Sequence, residues 1–124
     1  MPDDNKQLLF AEVESKAGVI TARLISPSIG QREVPIITDI VGPAIDKAPL
    51  GFRWLVLDMS NVTFMNSMAL GMCIDFRNRT SKASGKAALF GLNQQLLELF
   101  KMVKFDKLFT IAKDRDELAK IIAK

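Results

Sequence analysis

One continuous apolar run most constrains the fold of this chain. Trp54-Leu55-Val56-Leu57 is bounded by Arg53 and Asp58 and shows no alternation of polar and apolar residues. A strand with one solvent-exposed face alternates, whereas a strand buried on both faces is apolar throughout. The run therefore predicts the central strand of a sheet that is covered on both sides.

Two β-prone segments precede this run. They span residues 8–14 and 19–25, and the loop between them, residues 15–18, has hairpin length and contains Gly18. Runs of this composition around a short glycine-containing loop are typical of an antiparallel strand pair. We therefore expect the chain to begin with a β-hairpin.

Helical periodicity alternates with further strands after residue 25. Apolar spacing predicts a first helix that ends near Lys47 and a second from Ser67 to the polar segment 81–85, where Gly85 can supply a left-handed end. Pro35 fits the first turn of the first helix, whereas Pro43 conflicts with a regular ending.

The last third of the chain continues this alternation. A strand is predicted over 87–90, a helix capped by Asn93, a strand over 108–111, and a closing helix that begins at Asp114 or Asp116. Helices between consecutive strands call for parallel crossovers. The order β-β-α-β-α-β-α-β-α predicts an α/β domain with a mixed sheet of about five strands.

Composition and charge exclude several function classes. Lysine and arginine exceed aspartate and glutamate by 17 to 14, and this net charge of +3 is scattered, so we expect no nucleic-acid partner. Histidine is absent, which removes Ser-His and Cys-His nucleophile pairs and His-containing zinc sites. We expect neither an enzyme nor a bound metal or cofactor.

The amino terminus and the cysteine content indicate the compartment. Residues 1–6 are polar, and no apolar run reaches the ~18 to 20 residues of a membrane span, so we expect a cytoplasmic protein without membrane insertion. Cys73 has no intramolecular disulfide partner, which fits a reducing compartment. It is interpreted as a small buried hydrophobic residue.

The stretch "WLVLDMSNVTFMNSMALGMCIDF" resembles the central signature of the STAS family, the sulfate transporter and anti-sigma factor antagonist domains. In that signature a buried strand ends in Asp, and a segment Phe-Ile/Met-Asp-Ser-Ser-Gly-Leu-Gly begins a helix. The positions that match the signature are Leu57, Asp58, Val62, Phe64, Ser67, Leu70 and Gly71. Asn66, Met68 and Ala69 stand where the signature has Asp, Ser and Gly.

The resemblance covers residues 53–122 well and is weaker before residue 50. It implies a single STAS domain over 1–124 with a short polar tail at 1–6, and helices packed mainly on one face of the sheet. The family commonly has an acid in the turn after the second strand, where it contributes to kinase recognition, and residues 26–30 contain none.

The resemblance also implies a function and a site. It implies an anti-sigma factor antagonist that binds an anti-sigma factor or serine kinase and frees a sigma factor. The alternative is a STAS subunit that docks on a transporter or signalling scaffold and is never phosphorylated. The expected phosphorylation site is Ser67, and the expected partner-binding residues are Asn66, Ser67, Met68, Ala69, Leu70 and Gly71.

Two interpretations stay open for particular side chains. Ser67 is a phosphorylation site or a helix cap, because both it and Asn66 are good cap residues. Met68 and Met72, four residues apart, mark either the core or, for Met68, an adaptable binding surface.

Overall fold

A computed structural model describes residues 10–124. The strands are β1 (Ala11–Lys16), β2 (Val19–Leu24), β3 (Ser28–Ile29), β4 (Trp54–Asp58), β5 (Phe64–Met65), β6 (Lys86–Phe90) and β7 (Thr110–Ala112). The helices are α1 (Glu33–Asp46), α2 (Ser67–Lys82), α3 (Gln94–Met102) and α4 (Arg115–Ile122), with a 3₁₀ turn at Phe105–Lys107.

Five strands form one mixed sheet in the order β1-β2-β4-β6-β7. β1 is antiparallel to β2, and every other neighbouring pair is parallel. All residues of β4 are buried, which confirms the predicted central strand. β3 and β5 pair separately as a two-stranded parallel sheet that the sequence analysis did not predict.

The helices cover the sheet unequally, as predicted. Side chains of α1, α2 and α3 pack with Leu55 and Leu57 in the large core on one face. On the other face, Leu118 and Ile121 of α4 pack over Val56 and its neighbours. Among residues 10–124, no helix is long and apolar enough to span a membrane.

The initial hairpin is present but shifted along the chain. β1 begins at Ala11 and continues to Lys16, whereas Leu8 and Leu9 of the predicted strand lie outside the described residues. The connection is therefore only Ala17 and Gly18, which both have positive φ values of 53° and 82°. Positive φ at both central residues is the geometry of a type I′ turn, whose twist matches the right-handed twist of the flanking strands.

Helix α1 passes through Pro43 and ends regularly at Asp46, contrary to expectation. The amide of Lys47 donates to the carbonyl of Pro43 at 3.0 Å, so the last turn is intact. Proline clashes with the N–H and the Cβ of the residue before it, and here that residue is Gly42, which has no Cβ. Pro35 lies in the first turn, as predicted.

The last strand begins two residues later than predicted. Leu108 and Phe109 follow the 3₁₀ turn, and the Phe109 amide donates to the carbonyl of Phe105 at 2.9 Å. The Phe105 ring lies 5.3 Å from that of Phe100 and 5.8 Å from that of Phe109. This aromatic packing keeps the backbone turned until Thr110, where β7 starts.

At the end of helix α2, the left-handed residue is not the one that was predicted. Ser84 has the positive φ, 67°, and Gly85 does not. A Cβ atom on Gly85 would lie 2.5 Å from the ring of Phe52. Gly85 is therefore required for close packing and not for backbone conformation.

We expect opposite effects on stability from two neighbouring substitutions. Ser84→Gly should raise the free energy of unfolding by up to about 1 kcal/mol, because glycine adopts positive φ without a Cβ penalty. Gly85→Ala should lower it by about 1 to 3 kcal/mol, because Phe52 must move. Urea denaturation measures both, and a stabilising Gly85→Ala would contradict this assignment.

Candidate functional site at the start of helix α2

The small sheet fixes the position where helix α2 begins. Ser28 pairs with Phe64, and Ile29 pairs with Met65. The Ile29 carbonyl also accepts a hydrogen bond from the amide of Asn66 at 3.2 Å. Ile29 and Met65 are buried, so the strand pair is held against the core and the helix start is held with it.

Asn66 is the residue that caps helix α2. Its backbone is extended, and its side-chain Oδ1 accepts a hydrogen bond from the amide of Ala69 at 3.0 Å. Its carbonyl accepts from the amide of Leu70 at 3.0 Å. The Asn66 side chain thus satisfies one of the four amides that a helix start leaves without intrahelical partners, and its carbonyl accepts the first intrahelical bond.

Ser67 is the first residue of the helix and is exposed. Its hydroxyl makes none of the side-chain hydrogen bonds found among residues 10–124, so the capping interpretation of Ser67 is wrong. In the described part of the chain, the amides of Ser67 and Met68 have no acceptor and lie at the positive end of the helix dipole. The Ser67 side chain is therefore available for modification or contact.

The two methionines of the first turns lie in different environments. Met68 is 46% exposed, whereas Met72 is 3% exposed and belongs to the core. Of the other predicted partner-binding residues, Gly71 is exposed and Leu70 is partly buried. Ala69 is completely buried, so its inclusion among contact residues was wrong, because its side chain faces the core.

Phe64 extends this surface and was not predicted as a contact residue. Strand alternation buries Met65 and leaves Phe64 56% exposed. Its place in a short strand could not be inferred because β5 is only two residues long. We call Phe64, Ser67, Met68 and Gly71 the Ser67 surface.

A carboxylate approaches this site from helix α1, and sequence reasoning missed it. The Glu33 carboxylate accepts a hydrogen bond from the amide of Gly30 at 3.0 Å. Gly30 lies against the site, since a Cβ there would be 3.1 Å from Asn66 Nδ2 and 3.8 Å from Glu33 Oε1. The Glu33 side chain thus brings an acid close to residues 26–30, which have none of their own. Glu33 follows Gly30 by three residues at a helix start, which is the spacing of a capping box. This spacing was the sequence signal from which the contact could have been predicted.

Asp58, which ends the central strand, has a structural role. One carboxylate oxygen accepts hydrogen bonds from the Ser60 amide at 2.9 Å and the Ser60 hydroxyl at 2.6 Å. The other lies 3.6 Å from Nε of Arg23. These contacts hold the turn that follows β4. Within residues 10–124, no group of three side chains that could bind a metal ion is assembled.

Cys73 is fully buried in the core, as interpreted from the sequence. Burial disfavours the thiolate and raises the pKa of the thiol to about 12. A thiol with such a pKa is almost entirely protonated at neutral pH, so Cys73 packs as a hydrophobic residue and is not a nucleophile.

Comparison with known proteins supports the resemblance seen in the signature stretch. The family model for the STAS domain matches residues 6–118. This chain belongs to the STAS domain family. No curated protein sequence matches it significantly.

Solved structures of STAS proteins have the same fold. An anti-sigma factor antagonist domain protein from Planctomyces limnophilus has a TM-score of 0.81 and 17% identity, with 92% of this chain and 98% of that chain covered. The Bacillus cell fate determinant SpoIIAA in its phosphorylated form has a TM-score of 0.67 and 13% identity, covering 90% and 98%. The murine Slc26a9 anion transporter has a TM-score of 0.69 and 18% identity, covering 90% of this chain and 19% of the transporter. At these identities the likeness shows the fold alone.

We expect the stability of helix α2 to depend on Asn66 and not on Ser67. Asn66→Ala should lower the free energy of unfolding by about 1 kcal/mol, whereas Asn66→Asp should leave it nearly unchanged, because aspartate caps equally well. Ser67→Ala serves as the neighbouring control and should cost less than about 0.5 kcal/mol, as is usual for a surface substitution. Thermal and urea denaturation test the ranking, and a larger loss for Ser67→Ala than for Asn66→Ala would refute it.

Proposed function

We propose that this chain is an anti-sigma factor antagonist that binds an anti-sigma factor through the Ser67 surface and thereby frees a sigma factor. We further propose that phosphorylation of Ser67 abolishes this binding. The observation that carries the proposal is an exposed serine at a helix start, which Asn66 leaves free of any capping role, beside two exposed apolar side chains.

The chemistry of this surface suits contact with a protein. Phe64, three residues before Ser67, and Met68, directly after it, both expose apolar area, and burial of such a side chain contributes about 1.5 to 3 kcal/mol. Aromatic residues and methionine are enriched in the buried centres of protein interfaces. These two exposed side chains therefore favour a protein as the binding partner.

The same position suits a charge switch. A phosphoryl group adds roughly −1.5 to −2 charges, and at the start of α2 it would meet open amides and the positive end of the dipole. The fold would therefore tolerate it. A partner that buries this surface would have to desolvate the anion, which opposes binding.

Two of the similar structures bear on the two candidate functions, a phosphorylated antagonist and a transporter subunit. SpoIIAA has been solved in its phosphorylated form, which supports a phosphorylated state for this chain. The Slc26a9 structure contains a region of this fold within a transporter, which favours a second candidate: a STAS subunit that docks on a transporter or scaffold without phosphorylation. Incubation with the cognate kinase and ATP, followed by intact-mass measurement, separates these candidates.

We expect Ser67 variants to separate binding from stability. Ser67→Ala should bind the anti-sigma factor like wild type and gain no phosphate, whereas Ser67→Asp should bind at least tenfold more weakly because it adds charge at the interface. Both should unfold within about 0.5 kcal/mol of wild type, since Asn66 provides the cap. Titration calorimetry measures the affinities.

Ser81→Asp is the matched control, because Ser81 is exposed near the opposite end of the same helix. It adds the same charge and should leave the affinity unchanged. Equal weakening by both variants would indicate a general charge effect. An unchanged affinity for Ser67→Asp would remove Ser67 from the interface.

We expect Met68 to contribute to binding and little to folding. Met68→Ser should weaken partner binding about tenfold or more, consistent with loss of an apolar contact, and should shift the melting temperature by no more than about 2 °C. Met102→Ser is the control, because Met102 is 75% exposed at the end of α3. Loss of stability with unchanged affinity in Met68→Ser would contradict this assignment.

A further inference from the structure

The five-stranded sheet has two edges that differ in chemistry. At one edge, β1 presents three exposed charged residues, Glu12, Glu14 and Lys16. At the other edge, β7 has the sequence Thr-Ile-Ala and no charge. Charged side chains on edge strands oppose the addition of a further strand, and among the described residues β7 lacks that protection.

The backbone of Ile111 is directed toward this open edge. The Phe90 carbonyl accepts a hydrogen bond from the amide of Met59 at 2.7 Å, so it points to the β4 side of β6. Backbone groups alternate along a strand, so Leu89 faces β7, where it is in register with Ile111. In a parallel pair, Leu89 bonds to the residues on either side of Ile111, which leaves the amide and carbonyl of Ile111 facing outward.

An apolar cleft adjoins the same edge. It has a volume of about 490 Å³ and lies between α3 and β7. Leu92, Leu97, Phe109 and Ile111 contribute its apolar lining. A side chain from a strand added beside β7 would have this cleft within reach, because alternate side chains of a strand point to the same face of the sheet.

The rim of the cleft is basic. Lys101 and Lys113 line it, with Asp106 as the acid. Over residues 101–113 there are four lysines and one aspartate, and this net charge of +3 equals that of the whole chain. Lysine side chains around an open backbone edge attract an acidic segment and repel a basic one.

We propose that β7 is a second protein-docking site, which takes an extended acidic segment of a partner protein by β-strand addition. The Ile111 amide and carbonyl pair with the backbone of the incoming segment, an apolar side chain of that segment enters the cleft, and its carboxylates meet Lys101 and Lys113. Backbone pairing supplies affinity in this mode, and the cleft and the charges supply specificity.

A synthetic strand tests the proposal. The probe is an eight-residue peptide, capped at both ends, in which glutamate alternates with valine, and the control peptide has lysine in place of every glutamate. The acidic peptide should bind at least tenfold more tightly than the basic one. Amide hydrogen exchange measured by NMR should slow at least tenfold at Ile111 when the acidic peptide is added, because that amide becomes hydrogen-bonded.

Charge variants locate the site. The double variant Lys101→Glu/Lys113→Glu should weaken binding of the acidic peptide at least tenfold. The control, Lys16→Glu/Lys47→Glu, changes the net charge equally at two exposed lysines elsewhere and should change affinity by less than twofold. Ser67→Asp should also leave peptide binding unchanged, so the β7 site and the Ser67 surface are tested separately.

Three outcomes would overturn the proposal. Equal affinity for the acidic and basic peptides would remove the charge selectivity. Unchanged exchange at the Ile111 amide with saturating peptide would show that no strand is added at β7. Concentration-dependent dimerisation that protects the same amide without peptide would assign the edge to a second copy of this chain.

Discussion

Burial of β4 on both faces is the constraint on which the rest of the structure depends. Leu55 and Leu57 face the large core and Val56 faces the smaller one, so neither side of the strand can meet water. Each such side chain contributes about 1.5 to 3 kcal/mol when fully buried. The sheet must therefore continue on both sides of β4, and helices must cover both of its faces.

That constraint explains why the architecture was predictable from sequence. An apolar run such as Trp54–Asp58 has one stable environment, and the alternating strand and helix patterns around it have few compatible connections. The helix start at Asn93 is confirmed, and of the two predicted starts of the last helix, Asp114 and Asp116, the structure has Asp114. Both side chains accept hydrogen bonds from amides only three residues away. Local interactions of this kind can be predicted from a sequence.

Features that depend on tertiary contacts could not be predicted in the same way. Glycine at position 85 suggested a left-handed residue, but it is required by the ring of Phe52, a residue 33 positions earlier (85 minus 52). The start of β7 is delayed by packing among Phe100, Phe105 and Phe109. The strands of the small sheet, β3 and β5, are each two residues long, which is too short for a periodicity to indicate them.

The exposure of the residues in the candidate site differs from expectation in two respects. Ser67 and Met68 are exposed at the start of α2, where the resemblance indicated. Ala69 was wrongly included and the exposed Phe64 was not considered, because the side chains that a helix start and a short strand expose depend on how both pack against the core. That packing involves the pairing of β5 with β3, which brings together residues far apart in the chain.

The division of roles between Asn66 and Ser67 bears directly on how a switch could operate here. If Ser67 capped the helix, phosphorylation would replace a stabilising hydrogen bond and alter the fold together with the surface. Asn66 makes that bond instead, at 3.0 Å to the amide of Ala69, and the hydroxyl of Ser67 makes no hydrogen bond within residues 10–124. A phosphoryl group would then add its charge beside Phe64 and Met68 while the cap and the core stay as they are. Under the proposed function, the change in charge would act on the partner's affinity alone, and the domain would need no second conformation to transmit it.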